Sequence, residues 1–435
     1  MRCDYACHSP EHLLARRRFL GQLVAGSGVL AVGSGTLGGL GSLVQPAAAA
    51  QLAKDQKRIL CFYMAGGLSQ LESWDPKPST DTGGPFRAIP TSVPGVHISE
   101  LLPNIAKQMQ HLMIVRGVNT KEDDHGKGGY MMTTGRRQTP AADYPTLGAV
   151  TAKALTPNDA AIPGHIRITP GGGGGRADDA AYLGPRYASI VLGNGNPPAD
   201  SARDGSLSLT ADEQRNLLRR QADERFLSRR RTALTDAYTY SYEQAQRLMG
   251  ERDLFDVSKE PAADLERYGT YDLGRHCLLA RRLLSGGATF VQVTHSNYDT
   301  HNENFDFHLE QLGEFDRSFA ALVADLADRG MLDSTLIVVM AEFGRTPRIN
   351  HFYGRDHWSA AWSVLLGGCG VQRGGAFGKT NANGTEVIEH QVDHAQLFHT
   401  YLSAVGLDPT DSFDVGGRSM PMADPAAGAI KELLV

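Results

Sequence analysis

The sequence has little cysteine and no excess of positive charge. Its five cysteines are Cys3, Cys7, Cys61, Cys277 and Cys369, and the last three are far apart along the chain. This spacing excludes a disulfide framework and the paired cysteines of zinc-finger domains. The formal net charge of −5 at pH 7 gives no support for nucleic-acid binding. With 41% hydrophobic and 21% charged residues, the composition is that of an ordinary globular protein.

Beyond its N-terminus, the sequence also lacks an apolar run that is long enough to span a membrane. Arg16-Arg17-Arg18-Phe19-Leu20 matches the twin-arginine pattern R-R-x-F-L, and the small residues Ala47 to Ala50 offer a cleavage site. The stretch between them is too rich in glycine for a transmembrane anchor. We therefore expect residues 1–50 to be a twin-arginine signal peptide and residues 51–435 to form one domain. The export machinery would deliver this domain to the periplasm or the extracellular space.

Short apolar runs that are typical of buried strands alternate with helical patterns. The runs cover residues 58–64, 112–118, 165–169, 189–192, 289–295, 335–343 and 362–368. Residues 305–329 predict an amphipathic helix with Gly330 at its end. Residues 211–250 predict helical structure whose interleaved arginines and acids indicate a solvated face rather than a basic binding patch. We expect an α/β fold, a doubly wound and mostly parallel sheet with helices on both faces, with ligands beyond the carboxyl ends of the strands.

Ionisable residues follow the first two predicted strands. Glu72 and Asp75 come shortly after a Gly-Gly pair, where an ordinary turn with capping residues is an equally good interpretation. An acidic pair and then His125 follow the second strand. A loop with an acidic helix cap is the alternative there.

The strands at 289–295 and 335–343 are followed by the strongest candidates for a metal site. Asp299 and His301 form a D-x-H pair after the first of these strands, a pattern that suits oxygen and imidazole ligands to one divalent metal. Glu342 ends the second strand, and the adjacent pair Asp356-His357 follows in the same segment. Because carboxyl ends of parallel strands share one edge of a sheet, these residues are expected to meet.

Two later histidines are further candidates. His394 and His399 follow the last predicted strand, and either could complete the site. His399 also fits a helix that runs into the following apolar segment.

Six phrases in the chain together resemble those of the family known as domain of unknown function 1501. They are GGLSQLESWDPKP (66–78), ERYG (266–269), CLLARRLLSGGATFVQV (277–293), YDTHNENF (298–305), AEFGRTP (341–347) and GRDHW (354–358). The resemblance covers nearly the whole chain after the N-terminal segment. Tyr298 stands where the family usually has Trp, and Glu72 where it usually has Asp.

This family looks like a branch of the alkaline phosphatase and sulfatase superfamily, and the resemblance implies an alkaline-phosphatase-like fold. It also implies one or two divalent metals, such as zinc, calcium or manganese. Ligands would come from Asp299, His301, Asp356 and His357, with Glu342 as a ligand or a supporting group. A later histidine, His394 or His399, would complete the set. Since Ala65-Gly66 replaces the superfamily's first carboxylate, Glu72 or Asp75 would have to reach in from the loop.

The nucleophile of that superfamily is missing from the expected position. Sulfatases carry a Cys ten residues before the Gly of a T-G pair, and counting back ten residues from Gly135 gives His125. His125 is therefore expected to act as a general acid or base, or as a nucleophile. Arg345 and Arg355 are candidates for binding the anion, because a guanidinium matches oxyanions. The alternative for each is a structural role as an ion-pair partner, and this alternative stays open.

The resulting expectation is an exported, metal-dependent hydrolase of phosphate or sulfate esters or of a related small anionic substrate. Two alternatives remain open at this stage. One is a metal-stabilised binding or surface-assembly protein without catalysis on a hydrolase scaffold. The other is metal-assisted hydrolysis in which water attacks the substrate directly, without a covalent intermediate.

Overall fold

The computed structural model describes residues 57–140, 142–158, 160–172, 178–193, 195–197, 201–227 and 233–435. The expected signal peptide, with its twin-arginine motif, lies outside these residues and stays a prediction. Within the described part of the chain, no helix is long and apolar enough to cross a membrane.

An eight-stranded sheet forms the centre of the structure. Its strands are β1 (Arg58–Met64), β2 (Leu112–Val118), β3 (His165–Ile168), β4 (Ile190–Leu192), β5 (Phe290–His295), β6 (Thr335–Met340), β7 (Trp362–Gly368) and β8 (Gly375–Phe377). The order across the sheet is β8-β2-β7-β6-β1-β5-β3-β4. Strand β7 pairs antiparallel with both β6 and β2, whereas the other neighbours pair in parallel. The sheet is therefore mostly parallel.

Helices cover both faces of this sheet. Every residue of β5, β6 and β7 is buried, although alternate side chains of a strand point to opposite faces. Such strands need a layer of structure on each side, which explains their near-continuous apolar sequences. The predicted α/β class with a mostly parallel sheet is confirmed.

The helices in the described residues follow the predicted alternation with the strands. They are α1 (Pro103–Ala106), α2 (His125–Thr134), α3 (Leu147–Leu155), α4 (Leu209–Leu227), α5 (Ala233–Gly250), α6 (Ala262–Tyr268), α7 (Asp272–Ser285), α8 (Asn304–Asp328) and α9 (His394–Ala404). Short 3-10 turns lie at Met109–His111, Ala181–Leu183, Arg252–Phe255, Val257–Lys259, Leu332–Ser334 and Lys431–Leu433. Two-stranded pairs join Ala88–Pro90 to His97–Ser99, Gly344–Arg345 to His357–Trp358, Lys379–Thr380 to Val387–Glu389, and Ser412–Val415 to Arg418–Pro421.

The apolar stripe of helix α8 packs against the sheet, as its sequence pattern predicts. Its apolar stripe buries Phe315 and Phe319, whose rings meet the ring of Phe62 on β1 edge-on at centroid distances of 5.7 Å and 5.1 Å. Gly330 follows the helix with a φ of +67°, a left-handed conformation that glycine adopts without strain. In contrast, the described side chains of α4 are all exposed or half-buried, which agrees with the predicted solvated face.

His308 on α8 makes stability depend on pH. Its buried ring donates from Nδ1 to the carbonyl of Asn304 (2.8 Å), and its Nε2 accepts from the amide of Ser69 (3.2 Å). Nε2 cannot take a proton without losing that bond. Burial lowers the pKa of His308 to about 4, although Glu72 acts in the opposite direction. The unfolded chain binds this proton near the ordinary pKa of about 6.5, so stability is fully present above that pH and is lost as the pH falls towards 4.

We expect the contribution of His308 to reduce the free energy of unfolding by about 1.4 kcal/mol per pH unit within this window. Chemical denaturation at several pH values between 7 and 4 measures the slope. His308→Gln should give a flatter curve than the wild type, and the exposed His97→Gln should leave the curve unchanged. An identical slope in His308→Gln would show that this histidine does not contribute.

Candidate functional site

Residues from four parts of the sequence meet at the carboxyl edge of the sheet. His125 is the first residue of α2, which follows β2, and Asp299 and His301 follow β5. Glu342 comes two residues after the end of β6. His357 is brought in by a short antiparallel pair in which it lies opposite Arg345. The expected meeting of these strand ends is therefore present.

The Gly-Gly pair after β1 permits this close approach. Gly66 has a φ of +111°, and a Cβ there would lie 2.4 Å from the backbone nitrogen of Asp299. Gly67 has a φ of +87°, and a Cβ there would lie 2.8 Å from the ring of Phe343. Any larger residue would push apart the two loops that carry the site.

Arg345 connects these loops from a fully buried position. Its Nε donates to the carbonyl of Gly67 (3.0 Å), and its Nη1 donates to the carbonyl of Arg355 (3.1 Å). Its Nη2 donates to the carbonyl of Gly66 and to Oδ1 of Asp299, the latter at 2.6 Å. Of the two roles considered for Arg345, anion binding and a structural ion pair, these contacts support the second: the guanidinium holds the Asp299 carboxylate in place.

Three possible ligand atoms form a nearly equilateral triangle. The Nε2 atoms of His301 and His357 are 3.0 Å apart, and Oδ1 of Asp299 lies 3.2 Å from the first and 3.3 Å from the second. His125 faces the other oxygen of the same carboxylate, with Nε2 3.3 Å from Oδ2. Three imidazoles therefore converge on one aspartate.

The opposite nitrogen of each imidazole is held by an oxygen atom. His357 donates from Nδ1 to the carbonyl of Asp123 (2.7 Å), because a carbonyl can only accept. Nδ1 of His301 lies 2.7 Å from the carboxylate of Asp356, and Nδ1 of His125 lies 2.7 Å from that of Glu342. With the proton on Nδ1, each neutral ring directs the lone pair of Nε2 towards Asp299.

Asp299 stays ionised in this arrangement. Burial raises its pKa, but the hydrogen bond and charge of Arg345 outweigh this effect and hold the pKa below its usual range. The negative charge of Asp299 thus faces the imidazoles of His301 and His357 through Oδ1 and that of His125 through Oδ2. His125 Nε2 is buried and makes no hydrogen bond to any described residue.

Glu342 and Asp356, both predicted as metal ligands, are bound to the far nitrogens of two imidazoles. Oε1 of Glu342 also accepts from the amide of Gly66 (2.8 Å), which ties the end of β6 to the turn after β1. The hydrogen bond with His301 lowers the pKa of Asp356. Carboxylates in such positions orient imidazole ligands and raise their basicity.

Glu72 and Arg355 form a separate buried pair in which neither side chain is exposed. Arg355 Nη2 lies 2.7 Å from Glu72 Oε1, and Nε lies 3.1 Å from both carboxylate oxygens. Its other donors bind the carbonyls of Thr82, Thr346 and Pro347. All five N–H groups are used, so Arg355 has none left for a substrate, and Glu72 serves this ion pair rather than the histidine cluster.

Asp75, His394 and His399 also lie in other surroundings. Asp75 accepts from Lys77 (3.0 Å) and from the hydroxyl of Thr380. His394 begins helix α9 and is buried, while His399, within the same helix, is bonded to the carbonyl of Asp424 (2.8 Å). None of these contacts joins them to Asp299 or its three histidines.

Asn350 and Phe343 support the site but were not predicted from the sequence. Asn350 donates to the carbonyl of His301 (2.8 Å) and lies 3.3 Å from Asp356, so it holds both members of that pair. The Phe343 ring packs against the rings of His125 and His357 at centroid distances of 4.8 Å and 4.3 Å. The only sequence signal was their position within the segment between β6 and β7.

The family model described as "Protein of unknown function (DUF1501)" matches residues 56–434. The chain belongs to the DUF1501 family. This membership agrees with the phrases that the sequence shares with that family. No curated protein matches the sequence.

Several solved structures are similar to this DUF1501 protein at low identity. The sulfatase PsFucS1 from Pseudoalteromonas sp. is 13% identical, with a TM-score of 0.39 over 86% of this chain and 77% of its own. The alkaline phosphatase from the Antarctic bacterium TAB5 is 11% identical, with a TM-score of 0.35 over 81% and 98%. The lipoteichoic acid synthase LtaP from Listeria monocytogenes is 8% identical, with a TM-score of 0.35 over 86% and 80%. At such values, nothing about the activity of this chain follows.

The donor set fits a divalent cation. Ligand atoms of His125, Asp299 and His357 all lie within 4.8 Å of one another. A metal with ligands at about 2.0–2.2 Å needs ligand atoms about 3 Å apart, which is the spacing of the triangle around Asp299 Oδ1. Imidazole lone pairs aimed at a carboxylate repel it unless a proton or a cation lies between them.

We expect the purified protein to bind a divalent cation, measured by elemental analysis and by calorimetric titration of the apoprotein. His357→Ala should weaken the affinity at least about 100-fold, because it removes a ligand. Asp356→Asn should weaken it by roughly 10- to 100-fold, because it removes the acceptor that orients His301. His394→Gln is the matched control and should bind as the wild type does. Equal affinities in all four proteins would contradict this assignment.

We expect Arg355→Met to lower the free energy of unfolding by roughly 3–5 kcal/mol, because it leaves Glu72 charged and unpaired in the interior. Denaturant unfolding measures the loss. The double variant Arg355→Met with Glu72→Met should recover part of the loss, because it removes both buried charges. Metal stoichiometry at a temperature where the variants stay folded should equal that of the wild type. A loss of metal without a loss of stability would instead assign Glu72 to the metal site.

Proposed function

We propose that this DUF1501 protein is a metal-dependent hydrolase of phosphate or sulfate esters in which water attacks the substrate directly. The observation that carries the proposal is the convergence of three imidazole Nε2 atoms on the carboxylate of Asp299. Each of these imidazoles is fixed through its Nδ1 atom. Zinc is the favoured metal, since imidazole-rich sites suit it better than calcium.

The openness of the site favours catalysis over a purely structural metal. The side chains of Asp299 and His301 are 48% and 47% exposed, and that of His125 is 39% exposed. Structural zinc sites are closed by four protein ligands, whereas catalytic sites keep a position open for water or substrate. The exposure of these ligands supports the second type.

A divalent cation held here would polarise an ester oxygen and lower the pKa of a water molecule. The chain prepares for this chemistry in three ways. Glu342, Asp356 and the Asp123 carbonyl keep the protons of the three imidazoles on Nδ1, so the Nε2 lone pairs face the open centre. Arg345 keeps Asp299 ionised and fixed. Phe343 shields one side of His125 and His357 from water.

The absence of a hydroxyl or thiol partner supports direct attack by water. Among the described residues, the side chains that form hydrogen bonds or ion pairs with the Asp299 carboxylate are Arg345 and the three histidines, with no Ser, Thr or Cys. His125, at the position expected for a nucleophile, holds its Nδ1 against Glu342 and directs Nε2 to Oδ2 of Asp299. We therefore assign it to the metal site rather than to a covalent step.

The preference for anionic esters rests on the sequence resemblance and on helix α2. His125 is the first residue of this helix, whose amino end carries a partial positive charge. Arg345 and Arg355 contribute to the scaffold instead. Export by the twin-arginine route to the periplasm or the extracellular space, with residues 1–50 removed, completes the proposal.

We expect turnover of at least one of three substrates: 4-nitrophenyl phosphate, bis(4-nitrophenyl) phosphate and 4-nitrophenyl sulfate, followed by nitrophenolate absorbance. A chelator should abolish it, zinc should restore it, and His357→Ala should reduce kcat at least about 1000-fold, while His394→Gln retains it. Mass spectrometry after quenching should find no phosphorylated or sulfated enzyme. A covalent adduct would refute direct attack by water.

Metal binding without turnover on any of these esters would instead favour the non-catalytic metal-stabilised binding protein. This alternative best explains why Arg345 and Arg355 are buried and direct their hydrogen bonds to the protein itself. Absence of both metal and turnover would reject both proposals.

A further inference from the structure

A separate cavity of about 200 Å³ lies on one face of the sheet, beneath helices α2 and α3. Its apolar wall includes Leu147, Phe290 and Met340. Its polar wall includes Tyr63, Thr133, Thr146, Arg167 and Gln292. A hollow with both an apolar and a hydrogen-bonding side is the usual form of a small-molecule site.

Strand register places Arg167 and Gln292 in one row of the sheet. Arg167 on β3 lies opposite Gln292 on β5, and Gln292 lies opposite Cys61 on β1. Tyr63, two residues along β1, points to the same face as this row. Their immediate neighbours along the two strands are Ile166, Ile168, Val291 and Val293, so an arginine and an amide stand between apolar residues.

The guanidinium of Arg167 is incompletely satisfied. Its nearest acid is Asp179, with Nη1 3.7 Å from Oδ2, which is beyond a hydrogen bond. Its Nε is buried and has no hydrogen-bond partner among the described residues. Asp179 itself is held by Ser189, which donates from its amide (2.9 Å) and its hydroxyl (2.7 Å). Asp179 thus forms a long ion pair with Arg167 but accepts no hydrogen bond from it, and the buried Nε of Arg167 stays without an acceptor in the described part of the chain.

Two glycines keep the cavity open. A Cβ at Gly129 on α2 would lie 2.8 Å from the hydroxyl of Tyr63, and one at Gly148 on α3 would lie 2.1 Å from Nε2 of His165. The bare backbone therefore lets both helices approach the sheet without filling the space between them. The charged groups that face this space are Arg167 and Asp179, with the ring of His165 beside them.

We propose that this cavity binds a small organic carboxylate, whose anionic end pairs with Arg167 and whose apolar body packs against Leu147, Phe290 and Met340. A carboxylate supplies the acceptors that the guanidinium lacks, in the planar geometry that a guanidinium matches. The cavity is smaller than a typical drug-sized pocket, which limits the ligand to a few carbon atoms beyond the acid group.

This carboxylate site goes beyond the proposed hydrolase and does not depend on it. It shares helix α2 with the metal site, because His125 begins that helix while Gly129 and Thr133, four and eight residues later, line the cavity. Tyr63 lines the cavity as well, and the carboxylate of Glu342 is among the groups that raise the pKa of its hydroxyl. A ligand bound there would contact Tyr63 and helix α2, which border the metal site, without touching the metal ligands.

Calorimetric titration and ligand-observed NMR with acetate, isobutyrate and benzoate test the proposal, with benzamide as the neutral counterpart of benzoate. We expect at least one carboxylate to bind at a single site, and benzamide to bind at least tenfold more weakly than benzoate. Arg167→Gln should weaken carboxylate binding at least tenfold. Arg418→Gln, an exposed arginine on another strand pair, should leave it unchanged.

Thr133→Leu keeps Arg167 and fills part of the cavity, so it should also abolish binding of the largest carboxylate that the wild type binds. Thermal unfolding and metal stoichiometry of both variants should match the wild type, which separates this site from the metal centre. Failure of all three carboxylates to bind would overturn the proposal. So would equal binding to the wild type and to folded Arg167→Gln.

Discussion

The site depends on one buried guanidinium. Arg345 joins the turn after β1, the loop after β5 and the segment before His357 through hydrogen bonds to Gly67, Asp299 and Arg355. An arginine in the interior is costly unless its donors are satisfied and its charge is paired. The hydrogen bonds that satisfy the donors of Arg345 bring three distant parts of the chain together. The position and ionisation of Asp299 follow from this arrangement, and the three imidazoles are arranged around Asp299.

The sheet and the residues of the candidate site could largely be predicted from the sequence, because buried strands are almost wholly apolar and their polar ends are conspicuous. The sequence could not, however, distinguish the groups that face Asp299 from the groups that hold those groups in place. His301 and Asp356 look alike as candidates in the sequence, but Asp356 contacts Nδ1 of His301 while Nε2 faces the centre. That difference depends on ring orientation, which the fold determines through atoms such as the Asp123 carbonyl.

Three arginines show why residue type alone does not reveal a role. Arg355 uses every donor within the protein, and Arg345 uses its donors to position a carboxylate. Arg167, which no motif distinguishes, has a buried Nε without an acceptor among the described residues. In the sequence, the first two stand beside glycines and acids and invite a functional assignment, whereas Arg167 lies between two isoleucines of a short strand. The hydrogen bonds in the structure indicate the opposite: Arg345 and Arg355 bind groups of the protein, whereas Arg167 has a donor left for a ligand.

The reversed direction of β7 has a consequence for how this molecule can change. Because β6 and β7 are antiparallel neighbours, the chain leaves the sheet after Met340 and re-enters at Trp362 on the same edge. Residues 341–361 thus form one long loop whose two ends lie side by side in the sheet. This loop carries five residues of the site, which are Glu342, Arg345, Asn350, Asp356 and His357. Insertions or exchanges within this segment can reshape the mouth of the site while the strand order stays the same. This segment can therefore be replaced as a unit, because both of its ends are fixed by neighbouring strands of the sheet.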